Sequence, residues 1–224
     1  MVAGRIKDGY VVYKTVGRIK KLEIIGVVAN MRKYNYIILL IGFILLVACD
    51  NEEKTTIEIG DLKWTLIIPE NFKKVPEKDW DKVKTKGIES YEKVTNQNVK
   101  NKDVENTLFA YKKGKFHTLE SNYKIFDTTK NYSKDNKELN NVTYESLKKA
   151  MPNTEMDSLS SKQMISGMEF DSFEINLNYE NGEQLTTKSF RRIFGDKRIS
   201  INILYRNKAI GKKLIESLEK SEFK

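Results

Sequence analysis

Thirteen uncharged residues, Tyr36–Ala48, run directly into the only cysteine of the chain, Cys49. A membrane-spanning helix needs about 20 apolar residues, so this run is too short to cross a bilayer. It has the length of a signal-peptide h-region, about 7–15 residues with positive charge before it and small residues at its end. Met31-Arg32-Lys33 supplies a start and that charge. A buried core helix would carry polar residues at helical spacing, and Ile37–Leu46 carries none. Residues 31–48 are therefore expected to be a removable leader. Residues 1–30, basic and without a clear amphipathic period, are expected to be either untranslated, with synthesis starting at Met31, or a cytoplasmic extension lost with the leader. The fold must then come from the 176 residues Cys49–Lys224. A chain of that size buries about 68–70% of its unfolded surface and needs no disulfide, for which one cysteine would in any case not suffice.

Leu46-Val47-Ala48-Cys49 resembles the lipobox of bacterial lipoproteins: an aliphatic residue, two small or modest ones, then the cysteine that becomes the lipidated first residue. The resemblance implies acylation at Cys49 and a lipid bilayer as partner. It places the protein at the cell envelope, outside the cytoplasm, on the outer membrane or cell surface if the bacterium is Gram-negative. Residues 49–56 read as lipidated cysteine plus polar tether. Acidic residues after the cysteine resemble the surface-export signal of some Bacteroidetes lipoproteins.

The leader also explains the charge. The whole chain carries +9, but residues 1–48 hold eight Lys/Arg and two Asp/Glu; the remainder has 32 basic and 29 acidic side chains, a net of +3. Nucleic-acid binders concentrate Lys and Arg on one face or stripe, whereas here both signs alternate along the chain. Nucleic acid is rejected as a partner.

From Ile57 onward the pattern is that of one domain, 57–224. Ile57-Glu58-Ile59 and Leu62–Ile68 flank the turn Gly60-Asp61. Leu62, Trp64, Leu66 and Ile68 alternate with Lys63, Thr65 and Ile67, the period of a half-buried strand. After Pro76, tolerated in a first helical turn, Trp80, Val83, Gly87, Tyr91 and Val94 recur at three- and four-residue spacing. This predicts a helix over Glu77–Val94 with those residues inward, and both Trp64 and Trp80 in the core. Asn96–Asn106 reads as a polar loop, Leu108–Tyr111 and Phe116–Phe126 as strands around Lys113-Gly114. Asp127–Asn141 reads as a mobile loop, and Tyr144–Met151 as a short helix before Pro152. Phe173, Ile175, Leu177 and Tyr179, then Leu185–Phe194, then Ile199, Ile201, Ile203 and Tyr205 form a hairpin-by-hairpin meander, with turns at Glu180-Asn181-Gly182 and Gly195-Asp196. A last helix, about Lys208–Glu219, puts Ile210, Leu214 and Leu218 on one face. The order β-β-α-β-β-α-β-β-β-α predicts an α+β domain, an antiparallel sheet covered by helices in a layered α/β/α sandwich.

The opening segment Trp64-Thr65-Leu66-Ile67-Ile68-Pro69-Glu70-Asn71-Phe72 is similar to the start of PsbP-like domains. The closing Ser217-Leu218 and Ser221-Glu222-Phe223 resemble how such domains end. The middle, Asn96–Ser166, departs from that pattern. The resemblance implies a non-enzymatic accessory or binding module and supplies no site residues.

No residue set stands out as catalytic. His117, the sole histidine, is read as an ordinary exposed strand residue, and any Ser-His-Asp mechanism would have to use it. With one histidine and no spare thiol, a zinc site is not expected. Asp50, Glu52 and Glu53, or Asp79 and Asp81, lack the spacing of a calcium loop. Neither GxGxxG nor GxxxxGKS/T occurs, so no nucleotide cofactor is expected. Arg191 and Arg192, neighbours on a strand, point to opposite faces and cannot clamp one anion. The expectation is a non-catalytic module binding an envelope protein partner through a sheet edge or the loops Asn96–Asn106 and Asp127–Asn141. The alternatives are a structural or stress-related envelope lipoprotein and a hydrolase.

Overall fold

The computed structural model describes residues 53–96, 98 and 105–224, together with the backbone of 5–7 and 10–12. It divides into two units, Met1–Asn51 and Glu52–Lys224. In the first, strands β1 (Arg5–Lys7) and β2 (Tyr10–Val12) pair antiparallel, Arg5 opposite Val12. The leader 31–48 and Cys49 lie outside the described residues. Among the described residues no helix is long and apolar enough to cross a membrane.

The second unit is an α+β domain with two antiparallel sheets. The small one has the order β12-β4-β3, with β3 Glu53–Ile59, β4 Leu62–Ile68 and β12 Glu222–Phe223. Gly60, at φ 62°, makes the expected tight turn between β3 and β4. The strand starts at Glu53, however, so the segment read as tether already pairs with β4 from Glu53 opposite Ile68. The two ends resembling PsbP-like domains meet here: Phe223 lies opposite Trp64 and their rings stack at 5.0 Å.

The large sheet has seven strands in the order β5-β6-β7-β11-β10-β9-β8. These are β5 Lys73–Lys74, β6 Asn106–Lys112, β7 Thr118–Ile125, β8 Glu155–Ile165, β9 Met168–Asn178, β10 Gln184–Phe194 and β11 Lys197–Tyr205. The β9–β11 meander is as expected. β8 is an unexpected strand, and the sequence hides it because eight of its eleven residues are exposed, Asp157 to Lys162 without a break. Its only local signal is Ser166-Gly167, a two-residue turn with both φ positive, 51° and 74°. Such mirror-image turns match the twist of the strands that they join.

Three helices complete the layers: α1 Glu77–Thr95, α2 Tyr132–Ala150 and α3 Lys208–Glu219. One face of the large sheet, carrying Leu119, Phe190, Ile199, Ile201 and Ile203, packs on Trp64, Leu66 and Ile68 of the small sheet and on Leu214 and Leu218 of α3. This is the apolar core, and Trp64 is fully buried in it. Asn207 starts α3 by accepting the amides of Ala209 and Ile210 at 2.9 and 3.3 Å, which satisfies donors otherwise left open in a first turn.

The opposite face is covered by α2, and this corrects the sequence reading. Asp127–Asn141 is a loop only as far as Asn131; α2 begins at Tyr132, twelve residues before the expected Tyr144. Asn131 caps it, accepting from the Lys134 amide at 3.0 Å. Its inward face is polar where it meets a guanidinium: Asn136 and Asn140, one turn apart, are both buried against Arg191, on the sheet face that also buries Phe173, Ile175 and Leu177 of β9. Hydrophobic periodicity cannot report a helix that buries amides. A second correction concerns α1. Trp80 is only half-buried and Val83 is 52% exposed. This helix lies beside α2 and outside the apolar core, so none of its described side chains is buried.

Candidate functional site

Two places in the domain concentrate polar side chains, and they are separate. The first is a cleft of about 590 Å³ at one end of the large sheet, lined by Phe116, Asn153, Thr154, Tyr179, Glu180, Asn181, Glu183, Leu185 and Arg206. Four connections meet there. Phe116 comes from the β6–β7 link, Asn153 and Thr154 from the α2–β8 link, Tyr179 to Glu183 from the β9–β10 turn, and Arg206 from just beyond β11.

The walls are fixed locally. Gly182, at φ 78°, allows the turn in which its amide donates to the Tyr179 carbonyl and the Tyr179 amide to that of Glu183, both at 2.9 Å. The Asn181 side chain closes the turn, accepting from the Glu183 amide at 3.1 Å and donating to the Glu183 carboxylate at 2.9 Å. Arg206 forms an ion pair with Glu183, and its guanidinium lies 5.2 Å from the ring centre of Phe116. A cation over an aromatic face is held by the ring quadrupole. The Arg206 amide donates to Nδ1 of His117 at 3.4 Å. His117 thus lies behind the cleft wall, half-buried just before β7 and not on a strand as expected. Burial, and then the charge of Lys113, push its pKa below the usual value.

With its guanidinium neutralised by Glu183, the cleft offers aromatic and amide surface, a combination suited to holding an uncharged ligand group. The sequence reading did not single out Phe116, Tyr179 or Arg206. Only the Glu180-Asn181-Gly182 turn was legible.

The second place is a buried polar seam between α2 and the large sheet. Arg191 Nη1 donates to Oδ1 of Asn136 and of Asn140, and the Tyr132 hydroxyl donates to the Arg191 carbonyl at 3.0 Å. Burial lowers the Arg191 pKa to about 10. Next to it, Arg198 pairs with Asp135 at 2.6 Å and Glu105 at 3.4 Å. Glu120 accepts from the Asn202 amide at 3.0 Å. Burial raises its pKa to about 7, an effect that the Asn202 bond opposes and Glu105 reinforces. None of these residues lines the cleft, so the one strongly perturbed carboxylate among the described residues, Glu120, lies away from it.

Arg192 points away from Arg191, donating to the Glu169 carbonyl and lying 5.6 Å from the Phe194 ring centre. Asp79 binds Lys82 at 3.0 Å in the first turns of α1, and the Asp81 carbonyl accepts from Thr85. Among the described residues no group of three or more His, Cys, Asp and Glu side chains is placed to hold a metal ion. Asp50, Glu52 and Cys49 lie outside the described residues.

No protein-family model and no curated protein sequence matches the chain. Solved structures that are similar to the chain include two from bacteria. The solution structure of cyanobacterial PsbP (CyanoP) from Synechocystis sp. PCC 6803 is 7% identical, covers 74% of this chain and 94% of its own, and has a TM-score of 0.43. The crystal structure of LpqN, described as involved in cell envelope biogenesis of Mycobacterium tuberculosis, is 11% identical, covers 78% and 92%, and has a TM-score of 0.37.

Proposed function

We propose that this chain is a bacterial lipoprotein that acts as a non-catalytic binding module of the cell envelope, held outside the cytoplasm by an acylated Cys49. The observation that carries the reading is the sequence Leu46-Val47-Ala48-Cys49 at the end of the 13-residue uncharged run Tyr36–Ala48. Two or more acyl chains give stable anchoring where one gives only marginal binding. The arrangement at the cleft supports the non-catalytic part: Glu183 is committed to Arg206 and Asn181, and the perturbed Glu120 lies elsewhere. The cleft is the ligand-holding region in this reading. The segment Asp127–Asn141, as a helix, is no longer a contact loop, and Asn96–Asn106 falls largely outside the described residues.

The test is detergent-phase partition of the protein expressed in a bacterium, with mass spectrometry of the peptide containing Cys49. Wild type is expected in the detergent phase with an acylated cysteine, and Cys49→Ala in the aqueous phase. An unmodified Cys49 peptide from membrane-fraction protein would overturn the anchor. A hydrolytic activity lost on changing Glu180 or Glu183 would overturn the non-catalytic assignment.

A further inference from the structure

β8 ends the large sheet with an eleven-residue strand that no described residue pairs on its outer side. Edge strands are normally blunted by proline, a bulge, a free inward-pointing charge or short length. The opposite edge, β5, is two residues long. β8 is long, and two of its three charged side chains, Asp157 and Lys162, are held by partners on β9. It contains no proline, and its register with β9 runs unbroken from Glu155 opposite Asn178 to Ile165 opposite Met168. Its one cation, Lys162, is tied back over its own sheet to Asp171 at 2.7 Å and Glu169 at 3.2 Å. Of the four large hydrophobic residues that are strongly exposed among the described residues, two lie here: Leu159 at 60% and Met164 at 55%. Among the described residues the other long edge, β3, is seven residues and carries Glu53, Lys54 and Glu58.

We infer that β8 is a self-pairing edge, joining two copies of this chain through an antiparallel β8–β8 ladder centred on Leu159. The strand's own sequence chooses the partner. When two copies extend one sheet about a two-fold axis, each residue pairs with one of the same face. Centring on Leu159 sets Leu159 opposite its symmetry mate, Ser158 opposite Ser160, Asp157 opposite Ser161, Met156 opposite Lys162 and Glu155 opposite Gln163. Each carboxylate then faces a side-chain donor, no like charges face each other, and the most exposed apolar side chain of the edge is covered. Moving the centre to Asp157 or Lys162 would put like charges face to face, which destabilises a cross-strand pair; centring on Ser158 sets Leu159 against Asp157. Asp157 already accepts from Asn176 and Asn178 at 2.9 and 3.4 Å, and a carboxylate has lone pairs left for a serine hydroxyl. The Met156 carbonyl accepts from Tyr144 at 3.3 Å, so the unshared part of the ladder starts at Asp157.

The experiment is cysteine cross-linking of the full chain in detergent, in a Cys49→Ser background that removes the only other thiol. Under mild oxidant Leu159→Cys is expected to form a disulfide dimer about tenfold faster than Val83→Cys, because pairing raises the local thiol concentration and Val83 is as exposed but lies on α1. Ser160→Pro, added to Leu159→Cys, is expected to remove that advantage while far-ultraviolet circular dichroism stays unchanged. Equal cross-linking rates for Leu159→Cys and Val83→Cys would overturn the proposal, as would an advantage that survives Ser160→Pro with the fold intact. A β8 edge reserved for a foreign strand would give the first of these results.

Discussion

Arg191 and Asn140 are 51 positions apart in sequence and 2.5 Å apart in space, guanidinium to side-chain carbonyl, beneath helix α2. The buried cation has no carboxylate within ion-pair distance among the described residues and is held by amide oxygens from successive turns of one helix. That relationship ties the helix register to the sheet. Hydrogen bonds to charged groups contribute about 1.5–3 kcal/mol, so Asn140→Ala is expected to cost that much in urea unfolding. Asn181→Ala, on the exposed rim of the cleft, is expected to cost under about 1 kcal/mol. Equal midpoints for the two variants would show that the seam does not fix α2.

The two tryptophans should behave differently. Trp64 is fully buried among Phe109 and Phe223, with ring centres 5.4 and 5.0 Å away. Trp64→Ala is expected to cost about 3–5 kcal/mol. Trp80, half-buried on α1, should cost clearly less on the same change. Thermal melts of both variants decide this, and the expected order is lost if Trp80→Ala melts at or below Trp64→Ala.

Glu120 sets a pH dependence whose sign follows from its raised pKa. The folded state binds the proton more tightly than the unfolded state, so the carboxyl costs nothing below the ordinary 4.5. Stability falls as pH rises from there and the penalty is complete above about 7, reaching roughly 3 kcal/mol at about 1.4 kcal/mol per pKa unit. His117, with its pKa lowered, acts in the opposite sense, so the informative quantity is wild type minus Glu120→Gln. Melting temperatures at pH 5 and pH 8 should show Glu120→Gln gaining on wild type at the higher pH. A constant difference between the two pH values would contradict the assignment.

Gly211 of α3 lies directly against the ring of Tyr205 on β11. A Cβ built there would lie 2.5 Å from the Tyr205 ring, inside the contact distance of two carbons. Gly211→Ala should raise helix propensity yet destabilise by about 1–3 kcal/mol through overpacking. Combining it with Tyr205→Ala should recover part of that loss, and a double-mutant cycle showing no coupling would place the strain elsewhere.

The sequence alone determined the elements whose burial follows a single period. Trp64, Leu66 and Ile68 on β4, Phe190 on β10, Ile199, Ile201 and Ile203 on β11 and Leu214 and Leu218 on α3 bury their apolar stripes in one core, and Phe173, Ile175 and Leu177 on β9 bury another on the opposite face of the sheet; a stripe is legible residue by residue. The antiparallel α+β class follows from those elements and the glycine turns between them. Only the tertiary structure decided the rest. The first twelve residues of α2 are helical because Asn136 and Asn140 meet a guanidinium supplied by a distant strand, a reason that no local window contains. β8 is a strand because β9 offers its free edge, although its own residues remain exposed. Trp80 and Val83 have the spacing of an inward face, but α1 packs beside α2 and contributes no residue to the apolar core. The cleft is likewise a meeting of four connections far apart in sequence, and no one of them announces it. Apolar burial is written locally, whereas polar pairing between distant segments is decided only when the chain has folded.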